Sequence, residues 1–395
     1  MKKLMILGAS YSQLPLYEAA RQLGAATVAA STPGDWPGFD VADESVYADI
    51  TDPEAILAAA QEKGIDGIAT CCLDAGVRAL GYTCEKMGLI GPSARAADIS
   101  NDKFKMKEAF MAGGVQCARH ICIHSLEELE EALEKLEFPV VLKAVDLMGS
   151  RGIFRCNTRE ETFFYYNKTM EATRKDYCLV EEFIEGQVLG CEAMIRDGRL
   201  LYCLPNNIEA FQSYVPTPIG HSVPYRKQEE LGAEVRHQVE LAIKAVGLDN
   251  CPVNCDLIEK DGKIYVIEIT GRAGGTCLPE MVSIYYGINY YEAIVRLALG
   301  MDVEEMFRGK TAGVANLSRT LLSEKDGVVK AIHNENEPVE DIVNLSFNIT
   351  PGEEVHHYTN GRDRLGQVIL RGESLESCEK RLQEILSKIN IEFTV

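Results

Sequence analysis

The stretch that most constrains this chain is Val253-Asn-Cys-Asp-Leu-Ile-Glu-Lys-Asp-Gly-Lys-Ile-Tyr-Val-Ile-Glu-Ile-Thr-Gly-Arg272. Two apolar runs, 253–258 and 264–269, flank Asp261-Gly262, a dipeptide that favours hairpin turns because its residues tolerate positive φ. Each run carries one carboxylate where a buried strand would take an aliphatic side chain: Asp256 and Glu268. A two-residue turn would pair Lys260 with Lys263 and set Asp256 opposite Ile267, sending Glu268 to the other face. A three-residue loop with Gly262 left-handed restores the parity, so that register is expected. Asp256 and Glu268 then share a face with Asn254 and Thr270.

Two carboxylates on one buried face repel each other unless a cation lies between them. At a solvated sheet edge the pair would need no partner. In a buried site, oxygen ligands with open positions suit Mg²⁺ shared with phosphate groups. Gly271, Gly274, Gly275 and Arg272 follow at once, a flexible turn with a fixed cation. That set suits phosphoryl transfer.

A chain of 395 residues predicts two or three domains with ample core. The formal net charge of −20 argues against nucleic acid or an anionic membrane surface as partner. No apolar run reaches the length of a membrane span, and the opening Met-Lys-Lys-Leu-Met-Ile-Leu-Gly leads into a strand and turn rather than a signal peptide. Thirteen cysteines without a Cys-x-x-Cys framework read as reduced thiols, which predicts a cytoplasmic protein. Cys117, His120, Cys122 and His124 are dense, but ligands crowded on one short strand cannot surround a tetrahedral ion.

Residues 4–30 read as strand, turn, helix and strand, the opening of a doubly wound α/β unit. Gly8 sits at the turn, but Ser10 and Gln13 occupy places a dinucleotide fingerprint would give to glycine. The alternation continues to about residue 98. A helix then begins at Asn101, with Lys103, Lys105 and Lys107; the last two read as a solvated face. The strand Pro139–Lys143 ends on a lysine that needs an anion. Six residues later the loop Gly149-Ser-Arg-Gly152-Ile can turn backbone N–H groups toward phosphate. Leu179–Gly186 reads as a strand carrying Glu181 and Glu182, and 187–204 as a hairpin turning at Asp197-Gly198. Residues 205–226, with prolines at 205, 216, 218 and 224 and with His221, show no periodicity and read as a long functional loop.

In order and spacing these motifs resemble the ATP-grasp superfamily over nearly the whole chain. The resemblance implies a mixed α/β and α+β molecule with the ATP-grasp fold. A Rossmann-like pre-ATP-grasp domain would span 1–98, the ATP-grasp domain 99–300 with a lid at about 115–185, and a small α+β domain 301–395. It implies ATP as cosubstrate with Mg²⁺, two ions in the family pattern, and Mn²⁺ able to substitute. Lys103 and Lys143 resemble the lysines that contact the nucleotide phosphates. Gly149, Ser150 and Gly152 resemble the closing loop, and Glu181, Glu182, Phe183 and Ile184 the hinge strand beside adenine. Asp256, Glu268 and Thr270 fall at the metal positions, Thr270 where the family has asparagine. Arg272, Lys143 and Ser150 are the implied catalytic residues. The family's ribose glutamate is Val188 here, which leaves Glu192 for that role. Ser10, Gln13, His221, Arg226, Arg272, Gly274 and Gly275 are the candidate substrate contacts.

The activity implied is ADP-forming activation of a small-molecule carboxylate as an acyl phosphate, followed by transfer to an amine, most simply an amino-acid ligase acting as a homodimer. The alternatives are phosphorylation of bicarbonate or another carboxylate, in the manner of carbamoyl-phosphate synthetase or biotin carboxylase, or a nucleotide-binding regulator with degraded catalysis.

Overall fold

The computed structural model describes residues 1–147, 149, 151–211, 217–310, 313–359 and 363–394. Its first sheet is parallel, in the spatial order Glu44–Tyr47, Ala26–Ser31, Lys3–Leu7, Gly67–Ala69. Short aliphatic strands and helices with Pro or Asp at their starts produce it. Asp52, for example, caps Pro53–Lys63 by accepting from the Glu54 and Ala55 N–H groups. Both faces are covered, so the strands are almost continuously buried.

The lid sheet runs His120–Ile123, Cys178–Glu182, Val140–Ala144, Ile153–Cys156, all antiparallel. The helices Leu126–Leu133 and Arg159–Ala172, capped by Ser125 and Thr158, supply its core on one face. His120 bonds Glu108 and His124 bonds Glu128.

An antiparallel sheet of eight strands forms the centre. Its order is Lys263–Thr270, Cys251–Lys260, Gln187–Arg196, Arg199–Phe211, Thr217–Val223, Ala315–Leu322, Arg364–Gly372, Ile342–Phe347. One face packs on the helices Lys103–Gly113 and Gln228–Val246 through Met106, Phe110, Val235, Val239 and the apolar side chains of the first strands. The last three strands come from beyond residue 314, so the C-terminal segment extends this sheet. It adds a three-stranded sheet and the helix Leu375–Leu386.

Two local expectations change. The segment 205–226 is not a loop: Arg199–Phe211 and Thr217–Val223 are paired strands. Its prolines hid the alternation, yet the fold accommodates two of them. Pro205 precedes the start of pairing with the next strand at Asn207, and Pro218 lies just past a bulge between Glu209 and Ala210. The central hairpin also has the tighter turn. Lys260 pairs with Lys263 through Asp261 and Gly262, at φ 52° and 75°. A bulge between Asp256 and Leu257 shifts the register, so that Asp256 still faces Glu268 and Asn254 still faces Thr270. The parity was right and its cause was different.

Candidate active site

Strand alternation and cross-strand register place Thr270, Glu268, Asp256, Asn254, Glu192, Asn206 and His221 on the same face of the central sheet. Burial, then the facing Glu268, pushes the Asp256 carboxyl up to about 7. The Lys103 ammonium lies 3.4 Å from Glu268 and also donates to the Leu147 carbonyl at 2.6 Å. Thr270 Oγ1 is buried without a partner. No group of three or more His, Cys, Asp and Glu side chains able to hold a metal occurs among the described residues. The carboxylate pair with an unsatisfied hydroxyl beside it nevertheless fits a hard cation that takes its remaining oxygens from substrate and water.

Arg272 stands at the end of the hairpin and is fixed from two sides. Its Nε and Nη2 donate to Asp74 Oδ1 at 2.8 and 2.6 Å, and Nη1 donates to Asn254 Oδ1 at 3.0 Å. Asp74 belongs to the N-terminal unit, where Cys71 bridges to Ala273 and Cys72 N–H donates to the Ala273 carbonyl. The N-terminal unit therefore aims the arginine. Gln13 supports the same corner, donating to the Cys71 carbonyl at 2.7 Å while accepting from Ser10 Oγ at 2.7 Å. Gln13 is buried and committed, so of these two substrate candidates only Ser10 keeps part of its surface exposed.

Glu192 does not take the ribose role expected of it. It is fully buried, and its carboxylate accepts from Asn254 Nδ2 at 2.9 Å and from Gly274 N–H at 3.2 Å. Burial raises it to about 8. A Cβ at Gly274 would come within 2.6 Å of Glu192 Oε1, so a glycine there lets the turn settle on the carboxylate. Gly275 has open space around it.

On the lid side, Lys143 pairs with Glu181, and Lys107 reaches the other oxygen of Glu181 at 3.4 Å. Burial alone would raise the Glu181 carboxyl, but the two ammonium groups outweigh it and hold the group at about 2. Lys107 is thus not the solvated residue its helix suggested. It is among the most buried side chains, because its stem crosses the helix–sheet contact to reach Glu181 and the Val266 carbonyl. Lys105 is the surface residue expected, paired with Asp98 at 2.5 Å. Glu182 pairs with Arg119 at 3.2 Å, Phe183 lies 4.2 Å under the Arg155 guanidinium, and Ile184 is half-buried. Gly149 and Gly152 are left-handed, at φ 67° and 65°, as a tight turn requires. Ser150 lies outside the described residues.

His221 is a strand residue. It is buried, bonds Asn206 Oδ1 through Nδ1 at 2.9 Å, and is driven down to about 4 by burial, so it is neutral. Arg226 is not a substrate clamp in this arrangement. Its side chain pairs with Glu379 at the surface, and its N–H donates to Asn207, which alternates to the sheet face opposite Asn206. Asp74, Lys107 and Glu192's turn contacts went unread because their partners lie dozens of residues or more away in sequence. Asn254 was legible, since it alternates with Asp256.

Comparisons with known proteins bear on the family and the fold. Residues 100–276 match the model of an ATP-grasp domain, and residues 319–394 match L-amino acid ligase C-terminal domain 2. The crystal structure of phosphoribosylglycinamide synthetase from Anaerococcus prevotii is 40% identical with a TM-score of 0.86, covering 100% of both chains. The chain belongs to the ATP-grasp family. The L-amino acid ligase from Bacillus licheniformis has the same fold, with a TM-score of 0.85 at 20% identity over 100% of this chain and 99% of that one. Alanine–anticapsin ligase from Bacillus subtilis is 25% identical over 276 residues, 64% of this chain and 58% of that protein. The chain spans 22–65% of the length of the curated relatives it matches.

Proposed function

We propose that the protein is an ATP-dependent, ADP-forming ligase that activates a small-molecule carboxylate as an acyl phosphate and transfers it to an amine, with amino acids as the substrate class. The observation that carries this reading is the facing pair Asp256 and Glu268, short of positive charge, with Arg272 fixed beside it. A divalent cation held there by Asp256, Glu268 and Thr270, Mg²⁺ or Mn²⁺ in its place, would neutralise the pair and draw charge from the phosphoryl oxygens.

The chain's own groups do the rest. A substrate carboxylate and the γ-phosphoryl group of ATP are both anionic, so their approach needs fixed cations. Arg272 and Lys103 border the carboxylate pair. Lys143 reaches the phosphates by exchanging its contact with Glu181, which keeps Lys107 as a counter-ion. The turn at Gly149–Gly152, with Ser150, closes over the phosphates and excludes water, which would otherwise hydrolyse the acyl phosphate. Glu182, Phe183 and Ile184 border adenine. The divisions at about residues 98 and 300, a homodimer and a cytoplasmic location complete the reading.

The likeness to a phosphoribosylglycinamide synthetase favours a second reading, in which the acceptor amine carries a phosphoribosyl group. The deciding experiment measures ADP and phosphate release with Mg-ATP against amino acids offered singly, in pairs, and with phosphoribosylamine as the acceptor, and looks for phosphoribosylglycinamide among the products of the last. Release that needs two amino acids supports the first reading. Phosphoribosylglycinamide supports the second. ATP binding without turnover on any amine would instead support a regulator.

A further inference from the structure

Among the described residues, the face that holds the carboxylate pair also carries a buried amide donor with nothing to donate to. Asn206 is 1% exposed, and its Nδ2 has no partner. Its other end is held, since Oδ1 lies 2.9 Å from His221 Nδ1. A buried amide with one satisfied and one idle end is uncommon in a folded protein and asks for an explanation.

The position of the amide supplies one. Asn206 sits across from Gly190, and Gly190 sits across from Asp256. A Cβ at Gly190 would come within 2.8 Å of Asn206 Oδ1 and 2.9 Å of Nδ2, so the amide lies over that glycine. Gly190 has an ordinary backbone conformation, since it is absent from the positive-φ residues. Its lack of a side chain makes room for the Asn206 amide. His221 approaches from the outer side, paired across from Ile208 on the next strand. With Oδ1 held by His221, the Nδ2 end of the same amide lies over Gly190, which pairs with Asp256 on the next strand.

The donors of Arg272 do not duplicate this one, because Nε, Nη1 and Nη2 are engaged by Asp74 and Asn254. Acyl transfer develops negative charge on the carbonyl oxygen when the amine attacks. That oxygen is adjacent to the transferring phosphoryl group, which the Asp256 and Glu268 site would hold. A neutral donor fixed before reaction stabilises such an oxygen without reorganisation.

We infer that Asn206 Nδ2 donates to the carbonyl oxygen of the activated carboxylate, and that His221 is a positioning residue that fixes the amide through its Nδ1–H. The inference rests on the acyl-phosphate reading above. Gly190 is the third part of the device, since a side chain there would take the place of the amide.

Two measurements test it, and the first needs no turnover. ¹⁵N NMR of the full chain should show neutral His221 with its proton on Nδ1, a preference lost in Asn206→Leu. A proton on Nε2 in the wild type would overturn the arrangement. The second uses amino-acid-dependent product formation. Asn206→Ala should lower kcat by about 10²–10³-fold while ATP affinity stays within twofold. His221→Leu should lower kcat in the same direction, and His221→Gln, which offers an amide N–H, should recover part of the loss. Asn206→Ala with kcat within twofold of wild type would overturn the donor role. A wild type that turns over no amino acid would count against the ligase reading instead, and the tautomer measurement would still decide the dyad.

Discussion

Two carboxylate clusters, one at Glu181 and one at Asp256 and Glu268, have opposite surroundings. Glu181 on the lid strand has two lysines, Lys107 and Lys143, and is held at about 2. Asp256 and Glu268 on the central hairpin have one lysine between them, Lys103, and Asp256 is pushed to about 7. The lid cluster carries its own counter-charge, with cation to spare for phosphates. In the hairpin cluster burial and the facing Glu268 outweigh Arg272 and Lys103 at Asp256. The difference leaves the Glu181 cluster with a surplus of cation; under the proposed function, that side would receive anions and the hairpin side a cation.

The same substitution on each side should therefore have opposite consequences. Glu268→Gln removes repulsion and is expected to abolish detectable turnover, at least 10²–10³-fold, while thermal unfolding shows an unchanged or higher Tm. Glu181→Gln leaves two lysines buried without a carboxylate. It should cost about 3–5 kcal/mol of stability, measured by denaturant unfolding. If both variants lost stability equally, the contrast between the clusters would be broken.

Asp74→Asn tests how firmly the N-terminal unit aims Arg272. Both side chains are mostly buried, and the expected result is a fall of about tenfold in kcat with little change in ATP affinity. The pH dependence sharpens the contrast further. A folded-state value of about 7 for Asp256, raised from 3.8, means its contribution to metal-free stability is whole below about pH 4 and is lost as pH rises through 7. Divalent-ion affinity should move the other way, rising by up to about tenfold between pH 6 and 8, with protons released on binding that calorimetry in two buffers can count. Glu181 gives the reverse sign: its contribution is present above about pH 4.5 and is lost only as pH falls through about 2. The smallest effect is expected for Glu192→Gln. With a carboxyl value of about 8, Glu192 is mostly protonated near neutrality, so the amide should cost under about 1 kcal/mol in Tm-derived stability.

Much of the site was legible because its chemistry is local. Asp256, Glu268, Thr270 and Arg272 lie within one hairpin and the turn that follows it, and a two-residue period decides which of them share a face. Lys143 and the glycines at 149 and 152 are likewise close in sequence. The misreadings have a common source. Lys107 looked solvated because the helix pattern says nothing of a glutamate 74 residues further on. Arg226 looked like a clamp because Glu379 is 153 residues away. The strands after residue 204 were hidden because prolines interrupt a ladder that the neighbouring strands repair through a bulge.

The sequence by itself therefore determined the alternating α/β opening, the carboxylate hairpin, the glycine turn and the family they belong to. Each depends on period, turn chemistry and spacing, which act over a few residues. The tertiary structure decided the charge state of those groups. It fixed Arg272 on Asp74, gave Glu181 its two lysines, left Asp256 facing Glu268 through a bulge and laid Asn206 over Gly190. Burial and electrostatics depend on which distant groups meet, and only the packed sheets bring them together.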